Sequence, residues 1–289
     1  MPRLMRPAAT LALVASVAAL PVPASVAAET GVIRDANGCR FTNPSPKPNE
    51  QITWSGGCRD GWGDGFGELR WLVDGVPTYI YTGTVAAGKL EGDGAENIRG
   101  DRFVGHFADG RRQGHGVFTW HDGLRYDGDF AHGQMEGHGV LQLPDGARFD
   151  GRFVNNILQS PVTMAKAKGD TSLRLTVEMP GDAAPAQAPA SAASAAGTGA
   201  RIKPDPFCAP TYPRVAVAQG AKGATKFSLQ IAPSSEVTRV RLDQRSGTDF
   251  AHQLLDLFAL SALMDCARQG GAPGSAPQWT SITYVWKLE

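Results

Sequence analysis

Aromatic and glycine residues recur at a fixed period through the first half of the chain. Every 23 residues an aromatic residue is followed two positions later by glycine and four positions later by a second aromatic residue. The clearest copies contain Phe103, Gly105 and Phe107; Tyr126, Gly128 and Phe130; and Phe149, Gly151 and Phe153. Residues an even number of positions apart lie on one face of a β-strand. The pattern predicts strands with their aromatic side chains on one face, and glycines for tight turns and close strand approach.

Two looser copies precede these, one from Trp54 to Trp71 and one from Tyr81 to Ile98. A single hairpin cannot bury its apolar face, so the copies must stack into a solenoid-like sheet. The segment over about residues 54–156 resembles the MORN repeat family. One further alternating strand, from Leu173 to Met179, extends the repeat module to residues 54–179.

The chain contains four cysteines in two widely separated pairs: Cys39, Cys58, Cys208 and Cys266. Four cysteines allow three pairings, and an oxidising compartment favours bridges over free thiols. The positions favour disulfides Cys39–Cys58 and Cys208–Cys266. Cys58 falls in the repeat position that Phe107 fills in a later copy, so we expect it to face inward. Bonded to Cys39, it would fasten residues 29–53 as a cap over the open end of the sheet.

The chain changes character after the repeats. Residues 180–207 are rich in alanine and proline, which predicts a flexible tether. Residues 208–289 form a second module, in which Tyr212-Pro213 opens a short helix and alternating apolar residues predict two strands before residue 246 and a third at the end of the chain. One amphipathic helix is predicted between them from the apolar stripe Ala251, Leu255, Phe258, Ala262 and Cys266.

This helix–β–β–helix–β order resembles the C-terminal domain of TonB-family energy transducers over about residues 210–289. The matching residues are Tyr212, Pro213, Ala216, Gly220, Gly223 and Ser246-Gly247. The chain departs from the family at Phe250-Ala251, where the family has Leu-Asp, and it lacks the Phe-x-Pro that follows the family's helix. The fold class expected for the whole chain is mainly β plus α+β, a MORN-type stacked hairpin sheet followed by a small TonB-C-like domain.

The TonB resemblance implies a binding edge. In that family the domain adds an extended peptide to an exposed sheet edge. If this mode carries over, the final strand is the docking edge, and Thr283, Val285 and Lys287 face away from the core as partner-binding candidates. Tyr284 and Trp286 share the opposite face and are expected to be core residues.

The first 28 residues have the pattern of a secretory signal peptide. Arg3 and Arg6 precede an apolar run, and small residues stand before Glu29. An uncleaved membrane anchor is the alternative, although the apolar run is shorter than the roughly 20 residues that a spanning helix needs. The chain has 28 basic and 28 acidic residues, and removal of the two arginines leaves a net charge of −2. This balance indicates no nucleic-acid partner.

The sequence shows no motif typical of catalysis, cofactor binding or metal binding. Five of the six histidines fall in the repeats, but converging metal ligands are not evident. We find no nucleophile–base or paired-carboxylate arrangement, so catalytic, cofactor-binding and metal-binding residues are all predicted to be none. Trp62, in a predicted turn, is a further partner-binding candidate, and packing on the cap near Cys58 is its alternative role.

Together these features predict a non-enzymatic periplasmic adaptor or scaffold, exported by a cleaved signal peptide, which binds envelope proteins through the repeat sheet and the tethered strand-adding domain. Two alternatives remain. One is a TonB-like energy-transducer component of outer-membrane transport, anchored in the inner membrane, whose partners are an outer-membrane receptor or an inner-membrane motor. The other is a lipid- or glycan-binding envelope protein.

Overall fold

The computed structural model describes residues 31–168, 171–179, 209–232, 237–267 and 278–288. The strands before the second module are β1 (Val32–Arg34), β2 (Arg40–Thr42), β3 (Glu50–Trp54), β4 (Gly57–Arg59), β5 (Trp62–Val73), β6 (Val76–Ala86), β7 (Lys89–Ile98), β8 (Asp101–Ala108), β9 (Arg111–Thr119), β10 (Arg125–Ala131), β11 (Gln134–Gln142), β12 (Arg148–Val154), β13 (Ile157–Lys168) and β14 (Thr171–Glu178). The second module contains α1 (Arg214–Ala218), β15 (Gly223–Ile231), β16 (Val237–Gln244), α2 (Phe250–Ala267) and β17 (Gln278–Trp286). The predicted signal peptide and linker lie outside the described residues.

The strands form a long meander. From β5 to β14, each strand pairs antiparallel with the next strand in the sequence. β3 and β4 pair with different parts of β5. At the other end β14 runs parallel to β16, and β15 lies between β16 and β17. The predicted stacked hairpin sheet is confirmed, and two residue pairs between β14 and β16 join it to the strands of the second module.

Two-residue turns connect many of the hairpins. At Asp74-Gly75, Ala87-Gly88 and Asp109-Gly110, both turn residues have positive φ, between 47° and 78°. Turns of this kind match the twist of the flanking strands, and glycine adopts the second position without a steric penalty. The turns that begin at Ala87, Asp109, His132 and Asn155 follow one another at steps of 22 or 23 residues, which is the repeat period of the sequence.

One face of the sheet, which we call the core face, carries the periodic aromatic residues. Their rings form a continuous series of edge-to-face contacts with centroids 4.8–5.3 Å apart: Tyr81, Phe107, Phe103, Phe130, Tyr126 and Phe153. All six side chains are buried. Because rings of successive copies contact each other, each hairpin is stabilised by its neighbours rather than by itself.

Paired glycines make room for these rings. Gly105 pairs with Gly116 across β8 and β9, and a Cβ on Gly116 would lie 2.4 Å from the Phe103 ring. Gly128 and Gly139 leave the same space beside Tyr126, where a Cβ on Gly139 would lie 2.5 Å from the ring. The aromatic-x-Gly pattern therefore encodes a ring that lies across two glycines on adjacent strands.

The N-terminal segment covers the first hairpins and is held by a disulfide between Cys39 and Cys58. Cys39 is buried, but Cys58 is exposed on the short strand β4, so the expectation that Cys58 faces inward was wrong. Phe41 takes the inward position instead, packing edge-on against Trp54 with centroids 5.7 Å apart. The other predicted bridge, Cys208–Cys266, involves Cys208 and the side chain of Cys266, which lie outside the described residues.

Helix α2 is buried on nearly all sides, which corrects the predicted one-sided stripe. Leu254, Leu257, Leu260 and Leu263 are all at most 1% exposed, whereas the predicted stripe residue Phe258 is half-buried. A helix that is apolar all round lies between two layers. Here one layer is its own sheet of β15, β16 and β17, and the other is the core face of the repeats.

Direct contacts join the two modules. The side chain of Gln253 accepts a hydrogen bond from the Leu158 N–H at 3.0 Å and donates one to the Leu158 carbonyl at 2.9 Å. Phe250 stacks on Trp120, with centroids 5.8 Å apart. Strands β14 and β16 pair at Val177 and Val240. The sequence suggested a freely tethered domain, but the described parts of the two modules are packed together.

We predict that Gly116→Ala lowers the free energy of unfolding by about 2–3 kcal/mol, because the added methyl group overpacks the space beneath the Phe103 ring. Urea unfolding measures this change. Gly110→Ala is the control: a Cβ there meets no atom within 4 Å and only the left-handed φ of +78° disfavours it, at a cost of about 1 kcal/mol. In a Phe103→Leu background the cost of Gly116→Ala should fall by more than half. Equal costs in both backgrounds would contradict the packing role of the glycine.

We predict that Gln253→Ala destabilises the module contact by about 2–4 kcal/mol, because it leaves the buried N–H and C=O of Leu158 without partners. Hydrogen exchange at the Leu158 amide should accelerate accordingly. Gln244→Ala, at an exposed position of β16, is the matched control and should leave that rate unchanged. Unchanged exchange in both variants would mean that the amide pair does not hold the modules together.

Candidate functional site

The open edge of the sheet is the first candidate site. Strand β17 pairs with β15 on one side, and no strand in the described parts of the chain pairs with its other side. Thr283, Val285 and Lys287 are all exposed, and Val285 is 64% exposed. A valine this exposed at an open edge is a contact residue available to another strand.

The opposite face of β17 is fixed in the core of the second module. Trp286 is 6% exposed, contacts Tyr212 edge-on at 5.1 Å, and donates a hydrogen bond from Nε1 to Thr225 at 3.2 Å. Tyr284 is half-buried, and burial raises the pKa of its hydroxyl to about 12. These two side chains fix the strand from the core side, and within the described ranges its other edge is unpaired.

Trp62 does not lie in a turn, as the sequence suggested, but begins strand β5 and is half-buried. The guanidinium of Arg40 lies over its ring, 4.4 Å from the centroid. A Cβ on Gly88 would lie 2.5 Å from the same ring. Trp62 therefore fills the contact between the N-terminal cap and the second hairpin, and little of its ring is left for a partner.

A second candidate site, which the sequence reasoning missed, is a groove on the core face. It has a volume of about 920 Å³ and lies between the N-terminal segment and strands β5, β6 and β7. Its apolar lining includes Trp71, Tyr79, Leu90 and Ile98, all half-buried. The N-terminal segment contributes Phe41 and Asn43 to one wall.

A buried carboxylate, that of Glu96, lies at the bottom of this groove. Glu96 is 6% exposed, and it accepts hydrogen bonds from the Tyr79 hydroxyl at 2.8 Å and from Arg112 Nε at 2.5 Å. Burial, and then the Glu96 charge, raise the pKa of Tyr79 well above its ordinary value. Arg112 also lies over the Phe118 ring at 4.6 Å. Because Arg112 balances the Glu96 charge, the floor carries a fixed polar group without a net charge.

Comparison with protein families identifies part of this sheet. Residues 103–125 and 126–148 each match the MORN repeat model. The chain contains MORN repeats. The matched residues run from β8 to the start of β12 and include the central part of the aromatic series. No curated protein matches the chain.

Two histidines of the MORN repeats, His106 and His138, lie on the face opposite the core face, each beside an aspartate. His106 contacts Asp93 at 3.1 Å, and His138 contacts Asp150 at 2.9 Å. Each is an exposed two-member pair. Among the residues that the structure describes, no three His, Cys, Asp or Glu side chains converge as metal ligands.

Lys166 forms a buried charge cluster between the MORN sheet and α2. Its ammonium lies 2.8 Å from Asp145 and 2.8 Å from Asp265, and it donates to the Ser261 hydroxyl at 2.8 Å. The lysine is 6% exposed, while both carboxylates are at least 40% exposed. Lys166 shares a strand face with Val162 and Met164, and a lysine among core positions was the signal that would have identified it.

We predict that Asp145 titrates below its ordinary pKa of 3.8. Burial alone would raise this pKa, but hydrogen bonds from Lys166 and Ser261 outweigh it and the net shift is downward. A lowered pKa contributes stability that is present above the ordinary value and is lost as pH falls through the folded value. The module contact should therefore weaken only in strong acid.

Carboxyl NMR titration of Asp145 tests this prediction. In Lys166→Met the midpoint should rise above that of the unsubstituted protein, because burial remains while the cation is gone. Lys226→Met, at an exposed position of β15, is the control and should leave the midpoint unchanged. A midpoint at or above the ordinary value in the unsubstituted protein would contradict the Lys166–Asp145 contact.

Proposed function

We propose that this protein is a non-enzymatic binding protein of the cell envelope, an adaptor that holds partner proteins on a rigid MORN sheet and adds an extended segment of a partner to strand β17. The observation that carries the proposal is the open, partly apolar edge of β17, beside Trp286 and Tyr284, which fix the strand. A bound strand would gain backbone hydrogen bonds along the edge, and exposed side chains such as Val285 would select among partners.

Resemblance to the TonB family supports strand addition. The second module has the order α1–β15–β16–α2–β17, with β17 at the sheet edge, and its residues resemble that family's C-terminal domain. Strand addition is the binding mode that this resemblance implies. The MORN repeats support the scaffold part of the proposal, because a stacked repeat sheet presents an extended, stiff surface.

We place the protein in the periplasm, exported by a cleaved signal peptide, on the basis of residues 1–28. The described residues contain no helix that is both long and apolar enough to span a membrane. An energy-transducer role with an uncleaved anchor remains the alternative reading of the second module. A lipid- or glycan-binding role remains the alternative reading of the MORN sheet.

Site-specific crosslinking in cells tests strand addition. A photoreactive residue at Thr283 or at Lys287 should form adducts with extended segments of envelope proteins, because both positions border the open edge. The same photoreactive residue at Thr238 is the matched control. The Thr238 side chain is exposed, but its strand, β16, pairs with β15 and β14 and is not an edge strand. Mass spectrometry of the adducts identifies the segment that was captured.

The identity of the captured partner distinguishes the adaptor hypothesis from the energy-transducer hypothesis. Soluble envelope proteins would support the adaptor, whereas an outer-membrane receptor or an inner-membrane motor subunit would indicate the transducer role. Adduct yields at Thr283 and Lys287 no higher than at Thr238 would reject strand addition at β17. Lipid or glycan adducts would reject a protein partner at this edge.

A further inference from the structure

Among the described residues, other segments of the chain cover the core face at both ends of the sheet and leave it uncovered between them. At the N-terminal end, Phe41 packs on Trp54 and the N-terminal segment lies over the first hairpins. At the C-terminal end, α2 crosses the face from Trp120 to Lys166. The groove lined by Trp71 and Tyr79 is the part between them, and the register places it on the same face as the α2 contact.

The α2 contact shows one kind of segment that packs on this face. The helix supplies an aromatic ring to Trp120, a side-chain amide to the Leu158 backbone, and the Asp265 carboxylate to Lys166. The occupant is thus a peptide segment that combines apolar side chains with a carboxylate. The core face meets it with the half-buried ring of Trp120 and the buried Lys166.

The open groove offers the same combination with more positive charge. Trp71, Tyr79, Leu90 and Ile98 supply half-buried apolar surface. Lys47, Arg99 and Arg111 stand at its mouth, all exposed. Two carboxylates also line the groove: Asp109 pairs with Lys89 and is attracted by Arg111, and Glu50 is attracted by Lys47. The carboxylate on the floor, Glu96, is already paired with Arg112. The charge that remains to be matched is positive.

We propose that this groove binds an acidic, apolar segment of a partner protein, whose carboxylates meet Lys47, Arg99 and Arg111 while its apolar side chains pack on Trp71 and Tyr79. The inference rests on the proposed binding function and adds to it a second contact surface with a defined chemistry. A partner engaged at both the groove and β17 would be held more tightly than by either surface alone, because the second contact forms at high effective concentration.

Crosslinking of the full chain in cells also tests the groove. A photoreactive residue at Ser45 or Thr78, both of which line the groove, should capture protein segments that contain carboxylates beside apolar residues. The same residue at Thr82, exposed on the opposite face of β6, is the positional control. Lipid or saccharide adducts, or yields no higher than at Thr82, would overturn the proposal.

Charge reversal tests the chemistry. The double substitution Arg99→Glu and Arg111→Glu should reduce the adduct yield about tenfold, corresponding to roughly 1.4 kcal/mol of lost affinity. Arg102→Glu, on the opposite face and equally exposed, should not change it. Replacing the carboxylates of the captured segment with lysine should restore the yield in the double variant. A yield that does not respond to the double substitution would overturn the charge assignment.

The groove and the β17 edge give separable outcomes. If strand addition fails, adducts at Thr283 and Lys287 disappear, whereas adducts at Ser45 and Thr78 still report on the groove. If the groove proposal fails, adducts at Ser45 and Thr78 disappear, whereas adducts at Thr283 and Lys287 still report on strand addition. Circular dichroism melting of each variant shows that the fold is retained, which is expected because Arg99 and Arg111 are exposed.

Discussion

The whole sheet depends on the packing of one aromatic ring across two glycines. A hairpin of this length has an apolar face that it cannot cover, and the ring reaches its neighbour only because two adjacent strands have no side chain beneath it. The contact between Phe103 and Phe130, 5.0 Å apart, is one step of this arrangement. Order in any hairpin therefore requires order in the next, which is the property of a stacked repeat.

A stacked repeat must be closed at its ends, and this chain uses a different device at each. Phe41, fastened by the Cys39–Cys58 disulfide, substitutes for the aromatic ring that the first copy lacks. At the far end an entire helix, α2, is placed over the face, and polar contacts from Gln253 and Lys166 fix its position. Among the described residues, the middle of the face carries half-buried aromatic residues and a buried carboxylate whose charge Arg112 balances.

The local pattern of the sequence was sufficient for the repeats but not for their ends. Periodic glycine and aromatic residues act within one or two strands, so the hairpins and their stacking were predictable. The inward position of Cys58 followed from the same periodicity and was wrong, because Phe41, from outside the repeats, fills that space. The stripe on α2 suggested one buried side, since sequence periodicity does not show that a second layer, more than 90 residues away, covers the other.

Charged residues show the same division. Lys166 and Glu96 look like isolated polar residues among apolar positions, and their partners Asp265 and Arg112 become apparent only when distant strands are brought together. The edge position of β17 came from family resemblance rather than from residue chemistry. The ion-pair partners and the edge position of β17 both depend on which distant segments pair in the fold. Local sequence periodicity carries no information about that pairing.

The junction between the modules has a mechanical consequence. Strands β14 and β16 share only two residue pairs, whereas β15 and β17 share nine. Tension applied through a partner strand on β17 would run along long ladders on the second module and then concentrate on this short parallel bridge. A few hydrogen bonds break under a lower force than many hydrogen bonds that share the load. The short bridge, with the α2 contact beside it, is therefore the weakest point along the path of the force. Under a pulling force the modules would separate there while each module remained folded.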